Sequence, residues 1–217
     1  MHPPAWRTNS MKHVDVPIGK SLQWYLDEEI RLAQSAPEQE LFFGWVVPPT
    51  VIYGRHQSRE AEVNEAYCRE HGIAVVQRKS GGGCVYADQG NLMLSLISPD
   101  TRSEAVFERF MQAVADVLRS LGVEAVTTAH NDILVNGRKV SGNACYALPQ
   151  ATIVHGTLLY DVNLDALEHA ITPSEAKLHK HAVLSVRQRV MNLRSLLPQI
   201  DSINDLKQYF EQQICKS

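Results

Sequence analysis

The sequence predicts a single α+β or mixed α/β domain, and three observations support that prediction. Apolar runs of strand length alternate with turn signals, of which Asn136-Gly137 is the strongest hairpin signal in the chain. Helical periodicities stand at both ends of the chain and in its middle. At 217 residues the chain has the length of one domain. Strands that arrive in hairpins, with helices before, between and after them, are typical of this fold class.

The first third of the chain contains one well-marked helix and several short strands. Leu22, Leu26 and Ile30 recur four residues apart and Pro37 follows, so a helix is predicted over 20–36. Residues 1–10 are polar and predict a flexible leader, which leaves 11–217 as the domain. The other predicted elements are an edge strand within 12–18, strands over 40–47 and 50–53 joined at Pro48-Pro49, a helix over 60–71 and a strand through Val75 and Val76.

Hairpins and two amphipathic helices dominate the rest of the chain. A helix is predicted over 103–121, with Ser103 as its N-cap and Gly122 at its end. The remaining predicted elements are strands over 85–86 and 92–97, hairpin strands over 133–135 and 139–141, a strand over 153–162, and a helical remainder with a break at Pro173 and an amphipathic stretch over 203–214.

Composition and charge argue against several classes of protein. The net charge of -3 gives no indication of a nucleic-acid or membrane partner. No apolar run reaches the ~18 residues that a transmembrane helix needs, and the first residues lack the apolar segment of a secretory signal. The four cysteines show neither C-x-x-C nor zinc-ligand spacing, so a reducing, cytoplasmic location and no protein metal site are expected.

The segment Arg78-Lys79-Ser80-Gly81-Gly82-Gly83-Cys84-Val85-Tyr86 lies between two strand-like runs. Three consecutive glycines cost conformational entropy on folding, and a plain hairpin needs only one or two. Outward backbone N–H groups form anion sites, and the two basic residues add positive charge. The segment therefore predicts either a phosphate or carboxylate site or a flexible hairpin tip with two solvated cations. It is not a P-loop, because no Lys-Ser/Thr pair follows the glycines.

A second candidate region follows the Asn136-Gly137 turn. Strand parity places Lys139 and Ser141 on one face of this hairpin, opposite to Arg138 and Val140. A lone lysine on a hairpin is more often a solvated side chain than a functional one. Its neighbourhood favours a functional role. Small residues that permit close backbone approach follow the lysine in Ser141-Gly142-Asn143-Ala144. Further on, in His155-Gly156-Thr157, a histidine and a glycine interrupt an apolar strand.

Five blocks of the sequence resemble the lipoate–protein ligases in order and spacing. They are Arg78-x-Ser80-Gly81-Gly82-Gly83-x-Val85-Tyr86, Asp88-x-Gly90-Asn91, Asn131-Asp132-Ile133, Gly137-x-Lys139-Val140-Ser141-Gly142-Asn143-Ala144 and His155-Gly156-Thr157-Leu158-Leu159. Two further stretches also fit, Gly54-Arg55-His56-Gln57 and Ser185-Val186-Arg187-x-Arg189-Val190-x-Asn192-Leu193. The resemblance covers about residues 40–195.

The resemblance implies a fold shared with biotin ligases and octanoyltransferases, a mixed, largely antiparallel sheet flanked by helices. It also implies a two-step reaction. ATP and lipoate give lipoyl-adenylate and pyrophosphate, and a lysine of a lipoyl-carrier domain then attacks the activated carbonyl. The carriers implied are the lipoyl domains of 2-oxoacid dehydrogenase complexes or the glycine cleavage H protein. Attack of a carboxylate on a phosphate brings like charges together, so fixed cations and donors suit such a site.

The resemblance also implies roles for the residues that match its blocks. Lys139 is the implied catalytic residue, in contact with acyl carbonyl and α-phosphate oxygens, and Arg78 is assigned to phosphate. Mg²⁺ accompanies ATP, with Asp132 as the nearest candidate partner. The residues implied to bind ATP or the adenylate are Arg78, Ser80, Gly81, Gly82, Gly83, Cys84, Val85, Tyr86, Asn91, Asp132 and Lys139. Those implied to bind lipoate are Gly82, Lys139, Ser141, Gly142 and His155.

The sequence departs from the family pattern in three places. Ala87 stands where the family usually has histidine, and Lys79 replaces a residue that is often Arg or Ser. The sequence ends at Ser217, without the small C-terminal domain of the longer ligases, which is associated with adenylate formation. An accessory subunit, a different adenylation route and transfer of a preformed acyl group are therefore alternatives.

Other functions remain open on the sequence. An ATP-independent octanoyl or lipoyl transferase would use a cysteine thioester, for which Cys84 and Cys145 are candidates. A biotin ligase is disfavoured because that family has Gly-Arg-Gly in its basic loop. A lipoyl-binding module without activity is disfavoured because Arg78, Lys139 and His155 are all present. The residues expected to be inert or solvated are Cys68, Cys215, His179, His181, Arg187 and Arg189.

Overall fold

The structure is a computed structural model that describes residues 11–171 and 189–215. The predicted leader over 1–10, the break at Pro173 and the expectations for His179, His181 and Arg187 lie outside these residues. Elements are numbered in chain order through the described part.

Seven strands form the larger sheet, in the order β1-β2-β6-β10-β9-β8-β7. β1 pairs with β2 in parallel and the other neighbours pair antiparallel, so the predicted mixed, largely antiparallel sheet is confirmed. The predicted edge strand is β1 at the margin of this sheet, while β7 was not predicted. The bounds are β1 Lys12–His13, β2 Leu41–Trp45, β6 Asn91–Ser98, β7 Ala125–Thr127, β8 Asp132–Val135, β9 Arg138–Leu148 and β10 Ala151–Leu159.

Three strands form a second, smaller sheet in the order β4-β3-β5. β3 runs parallel to β4 and antiparallel to β5. Pro48 and Pro49 separate β2 from β3, because proline has no backbone N–H to donate to a neighbouring strand. At this point the chain passes from the larger sheet to the smaller one. The glycine-rich segment is thus the β4–β5 connection. The bounds are β3 Thr50–Tyr53, β4 Ala74–Gln77 and β5 Val85–Ala87.

The helices follow the predicted positions with three corrections. The helical remainder predicted for the end of the chain is not α-helical between Val190 and Ser202, where the structure has the bridge from Val190 to Lys139 and one 3-10 turn, Arg194–Leu196. The single helix expected over 60–71 is two short helices, because Val63 bridges to Ile171 and Asn64 accepts a hydrogen bond from the Tyr67 backbone as the cap of the second. Ser103 is the first helical residue and not the N-cap, which is Arg102 and makes no side-chain cap bond. The bounds are α1 Leu22–Gln34, α2 Arg59–Glu62, α3 Glu65–Glu70, α4 Ser103–Ser120, α5 Leu164–Ala170 and α6 Ile203–Ile214.

The larger sheet has an apolar core on each face. Leu94 and Leu96 of β6 belong to the core that contains Phe110 of α4 and Phe210 of α6. The alternate residues of β6 face the other core with Tyr25 of α1, as the two-residue period of a strand requires. Burial of each such side chain contributes about 1.5–3 kcal/mol. The α1 face of the sheet, next to the smaller sheet, carries the candidate site.

The β8–β9 hairpin contains an irregularity that sequence parity did not predict. Asn136 and Gly137 have φ values of 50° and 72°, as the tight turn requires. Leu134 pairs with Lys139 but Ile133 pairs with Ser141, so β9 carries one extra residue, a β-bulge. The prediction that Lys139 and Ser141 share a face is therefore wrong, because the bulge reverses the alternation.

No helix within residues 11–171 and 189–215 combines the length and the hydropathy needed to cross a membrane.

Candidate active site

Lys139 lies on the bulged strand with its side chain directed across the sheet. Its ammonium Nζ is 2.7 Å from Asp132 Oδ1 on the neighbouring strand. A Cβ atom added to Gly142 would stand 2.8 Å from Nζ, so the lysine side chain passes over this glycine. The Met191 backbone N–H donates to the Lys139 carbonyl, and Val190 forms a parallel bridge to Lys139. The strand is therefore braced on both sides of the lysine.

Two cavities meet at Lys139. The larger has a volume of about 500 Å³ and carries charged side chains, among them Glu62, Arg138 and Arg189. The smaller has a volume of about 70 Å³ and is mainly apolar. Its lining includes Leu22, Leu26, Trp45, Ile52 and Met93, with His155 also in its wall. The residues that line both cavities are Gly83, Cys84, Val85, Lys139 and Thr157.

The arrangement of these cavities matches the chemistry of two joined ligands. An apolar chain fits the smaller cavity, and a polar, anionic group fits the larger one. Lys139 can face both groups at once, because its side chain belongs to both walls. A fixed cation at such a junction stabilises negative charge that two joined ligands bring together.

Arg78 holds the glycine segment from within. It is buried, 7% exposed, and its Nη2 donates to the carbonyls of Gly81 and Gly83 at 2.7 Å each, while Nε donates to Gly81 at 3.1 Å. Nη1 donates to the Ile52 carbonyl of β3 at 3.1 Å. Burial lowers the pKa of Arg78. The assignment of Arg78 to phosphate stays a prediction, and the contacts that the structure shows are to the loop itself.

The Arg78 contacts determine which way the backbone N–H groups of the segment point. In a trans peptide the carbonyl of one residue and the N–H of the next point in opposite directions. When the Gly81 carbonyl is turned inward, the Gly82 N–H faces outward. In the described part of the chain, the N–H groups of Gly81, Gly82 and Gly83 donate no hydrogen bond within the protein. The predicted anion site thus has its donors available.

A second glycine makes the close packing of this segment possible. A Cβ atom added to Gly54 would stand 2.4 Å from the Gly82 carbonyl oxygen, so only glycine fits there. Gly82 itself has a φ of 93°, which glycine adopts without strain. The Arg55 N–H donates to the Ser80 carbonyl at 3.1 Å. The Gly54-Arg55-His56-Gln57 stretch therefore supports the glycine segment.

A buried chain of hydrogen bonds reaches the same segment from the opposite side. His155 lies 2.8 Å from Ser80 through Nε2 and Oγ, and 3.0 Å from Glu29 through Nδ1 and Oε2. Ser95 donates to Glu29 Oε1 at 2.6 Å, and Trp45 Nε1 donates to Ser95 at 2.7 Å. All five side chains are buried. Sequence reasoning missed Glu29, Ser95 and Trp45; a glutamate on the apolar face of α1 was the available signal.

The remaining predicted residues divide into lining and supporting positions. Tyr86 lines the larger cavity, and burial raises its pKa, with a further contribution from Asp88. Asn91 is fully buried, donates to the Met93 sulfur at 3.0 Å and lines neither cavity. Ser141 is 1% exposed, donates to Asn143 and likewise lines neither cavity.

The Asp88-Gln89-Gly90 stretch has a structural role in the described contacts. Asp88 accepts from the backbone N–H groups of Gly90 and Asn163 at 2.8 and 3.0 Å. A Cβ atom on Gly90 would stand 2.0 Å from the Asp161 carbonyl oxygen. This turn therefore joins β6 to the chain that follows β10.

The two candidate cysteines differ in position. Cys84 lines both cavities. Cys145 reaches the surface and lines neither, and desolvation raises the pKa of its thiol, which disfavours the nucleophilic thiolate. Within residues 11–171 and 189–215, no group of three His, Cys, Asp or Glu side chains is arranged to hold a metal ion.

Comparison with known proteins agrees with this geometry. Residues 21–215 match the model of the lipoyl protein ligase A/B catalytic domain. The chain is 40% identical over 171 residues to lipoate-protein ligase LplJ of Bacillus subtilis and 38% identical over 181 residues to lipoate–protein ligase 1 of Staphylococcus aureus. These matches cover 78% and 83% of the chain but 52% and 55% of the relatives, so the chain spans about half of their length.

A solved structure gives the same result at the level of the fold. A bi-partite lipoate protein ligase from Thermoplasma acidophilum, studied with its E2 lipoyl domain, superposes with a TM-score of 0.79 at 25% identity. The superposition covers 94% of the chain and 81% of that protein. From the extent of the matched domain and the identity to two ligases, the chain belongs to the lipoyl protein ligase A/B catalytic domain family.

Proposed function

We propose that this chain carries the catalytic site of an ATP-dependent lipoate–protein ligase. The observation that carries the proposal is the position of Lys139 in the walls of both the apolar and the charged cavity. Lipoate, an apolar chain with a carboxylate, suits the smaller cavity, and ATP suits the larger one. The names of the two bacterial relatives support the same activity.

In the first step, a carboxylate oxygen of lipoate attacks the α-phosphorus of ATP. The bond to the β-phosphate oxygen breaks, and the products are lipoyl-adenylate and pyrophosphate. Lys139 stabilises the negative charge on the carboxylate and on the α-phosphate oxygens, and the outward N–H group of Gly82 adds a donor. No acid or base is required, because neither reactant has to lose a proton.

In the second step, the neutral amine of a carrier lysine attacks the lipoyl carbonyl. An amide bond forms, AMP leaves, and the proton that the amine loses passes to solvent. Lys139, in contact with the carbonyl oxygen, stabilises the oxyanion of the tetrahedral intermediate. The proposed acceptors are the lipoyl domains of 2-oxoacid dehydrogenase complexes or the glycine cleavage H protein.

Mg²⁺ would enter with ATP. Magnesium is usually held by one or two carboxylates together with substrate phosphates and water, so a preformed cage of protein ligands is not needed. Asp132 supplies one carboxylate in the larger cavity. Bound there, the ion would neutralise phosphate charge.

A further domain or subunit assists adenylation in this proposal, and the reaction takes place in the cytoplasm. The bi-partite organisation of the Thermoplasma relative supports the first point. The four cysteines all lie in the described residues and none forms a disulfide, as is usual in a reducing compartment, and this supports the second.

Mass spectrometry of a purified lipoyl domain tests the proposal. After incubation with this protein, lipoate, ATP and Mg²⁺, the domain should gain one lipoyl group, and pyrophosphate should be released. A second reaction replaces ATP and lipoate with lipoyl-adenylate. Modification in the second reaction alone would identify a transfer enzyme that needs an accessory chain for adenylation, and modification in neither would reject the proposal.

A further inference from the structure

The buried chain of hydrogen bonds from Trp45 to Ser80 has a direction. The indole N–H of Trp45 can only donate, so Ser95 accepts from it and gives its own hydrogen to Glu29. An ionised Glu29 can only accept, so Nδ1 of His155 carries a hydrogen. In the tautomer with the hydrogen on Nδ1, Nε2 accepts from the Ser80 hydroxyl. This tautomer is assigned from the hydrogen-bond network.

The far end of this chain coincides with the start of the glycine segment. Ser80 is 2% exposed, and its side chain is anchored by His155 on one side, while Arg78 fixes the carbonyls of Gly81 and Gly83 on the other. The glycine segment, of which Gly83 lines both cavities, is therefore held by two independent anchors. One is a single arginine, and the other extends back to α1 through Glu29.

We propose that Glu29 is a positioning residue for the glycine segment. It fixes the tautomer of His155, and His155 holds Ser80 in place. Glu29 acts through other residues and is not a catalytic group. The effect on catalysis rests on the proposed ligase function, whereas the effect on the tautomer and on the segment does not.

Two substitutions at one position separate a positioning role from simple space filling. Glu29→Ala removes the link, so we expect faster hydrogen exchange of the Arg55 amide, which donates to the Ser80 carbonyl, and a fall of roughly 10²-fold in kcat/KM for lipoyl transfer. Glu29→Gln keeps the hydrogen bond to His155 but exchanges its donor and acceptor. Because Trp45 forces Ser95 to donate, the glutamine oxygen must face Ser95, and its NH₂ group must face His155.

The reversed link has a spectroscopic signature. In the Glu29→Gln variant, Nδ1 of His155 accepts and Nε2 carries the hydrogen, which is the opposite of the native tautomer. ¹⁵N NMR of the imidazole distinguishes the two forms. We expect native-like exchange protection of the Arg55 amide in Glu29→Gln, and kcat/KM much closer to that of the native protein than in Glu29→Ala. Glu28→Gln, one residue away on α1 and paired at the surface with Arg31, is the matched control and should keep the native tautomer and native exchange.

Ser80→Ala tests the last link without altering the interior of the chain of bonds. It should raise exchange of the Arg55 amide as Glu29→Ala does, which keeps the inference testable if Glu29→Ala does not fold. The inference is overturned if Ser80→Ala or a folded Glu29→Ala exchanges like the native protein, or if Glu29→Gln leaves the hydrogen on Nδ1. If the native protein proves unable to lipoylate a carrier, the proposed function fails, and the exchange and NMR results still decide the role of Glu29.

Discussion

The ammonium of Lys139 lies 2.7 Å from the carboxylate of Asp132, across the β8–β9 hairpin. Both side chains are about one-third exposed, 29% and 31%. A partly exposed pair of this kind contributes no more than about 1 kcal/mol to stability. Its main effect is therefore to orient the lysine between the two cavities.

Lys139→Met should abolish adenylation and leave the fold intact. The methionine keeps most of the side-chain volume but removes the charge that stabilises the carboxylate and the α-phosphate, so we expect a loss of roughly 10³-fold in kcat/KM. The rate of lipoate-dependent pyrophosphate release measures this loss in kcat/KM. Lys12→Met, at the exposed end of β1, is the matched control. Pyrophosphate release by Lys139→Met at the native rate would remove the lysine from the mechanism.

Gly142→Ala should impair activity with little change in stability. The new methyl group would lie 2.8 Å from Cε and Nζ of Lys139, and the flexible lysine side chain can move away. Displacement of a reacting group by about 1 Å costs roughly 10²-fold in rate. Parallel assays of pyrophosphate release and thermal unfolding measure the two effects.

Gly156→Ala provides the contrasting result on the next strand. Its methyl group would lie 1.9 Å from Asn143 Oδ1 and 3.2 Å from Phe110 Cε1, in a packed interior. We expect a clear fall in Tm, because overpacking of this kind lowers the free energy of unfolding by about 1–3 kcal/mol. Equal effects of the two substitutions on Tm would contradict the assignment of Gly142 to the space under the lysine.

Cys84→Ser should leave an ATP-dependent ligase active. Cys84 lines both cavities, so it is the better placed of the two candidate thiols for a thioester mechanism. If the reaction passes through lipoyl-adenylate, serine replaces it with a modest change in rate, and omission of ATP stops the reaction. Loss of transfer in Cys84→Ser, together with transfer from an acyl thioester by the native protein without ATP, would favour the transferase alternative. Carrier modification followed by mass spectrometry distinguishes the two.

Asp100 should stabilise the fold at neutral pH and lose this effect in acid. Hydrogen bonds from Arg102 lower the pKa of Asp100 to about 2, below the ~3.9 of an unfolded chain. A lowered folded-state pKa means that the contribution is present above pH ~3.9 and is lost as the pH falls through about 2.

Urea unfolding of the native protein and of Asp100→Asn measures this contribution. The difference in the free energy of unfolding should be constant near neutral pH and should shrink between pH ~4 and about 2. Asp201→Asn, at an exposed position before α6, is the control. A difference that stays the same at pH 7 and pH 2.5 would show that Asp100 acts through something other than its charge.

Local patterns were sufficient for much of the fold. The Asn136-Gly137 turn and the apolar period of α6 can be read from residues close in sequence, and the structure has the turn as predicted and α6 over Ile203–Ile214. The bulge beside Lys139 could not be predicted, because an extra residue in one strand leaves no sign in the alternation of residue types. One inserted residue was enough to place Ser141 on the wrong face.

The support of the site was harder to predict than its lining. The glycine segment and Lys139 were marked by residue types that are costly unless they serve a purpose. Glu29 and His155, in contrast, are separated by 126 residues and meet only after β10 packs on α1. For Arg78, sequence placed a cation at the segment, but only the folded backbone shows that its donors face carbonyl groups.

The division of the chain between two sheets at Pro48-Pro49 also has a practical consequence. The triple-glycine connection belongs to the three-stranded sheet, whereas Lys139 belongs to the seven-stranded one. Each cavity takes its wall from both sheets, since Gly83, Cys84 and Val85 come from residues 50–87 while Lys139 and Thr157 come from the larger sheet. A substitution that shifts one sheet against the other would therefore reshape both cavities together.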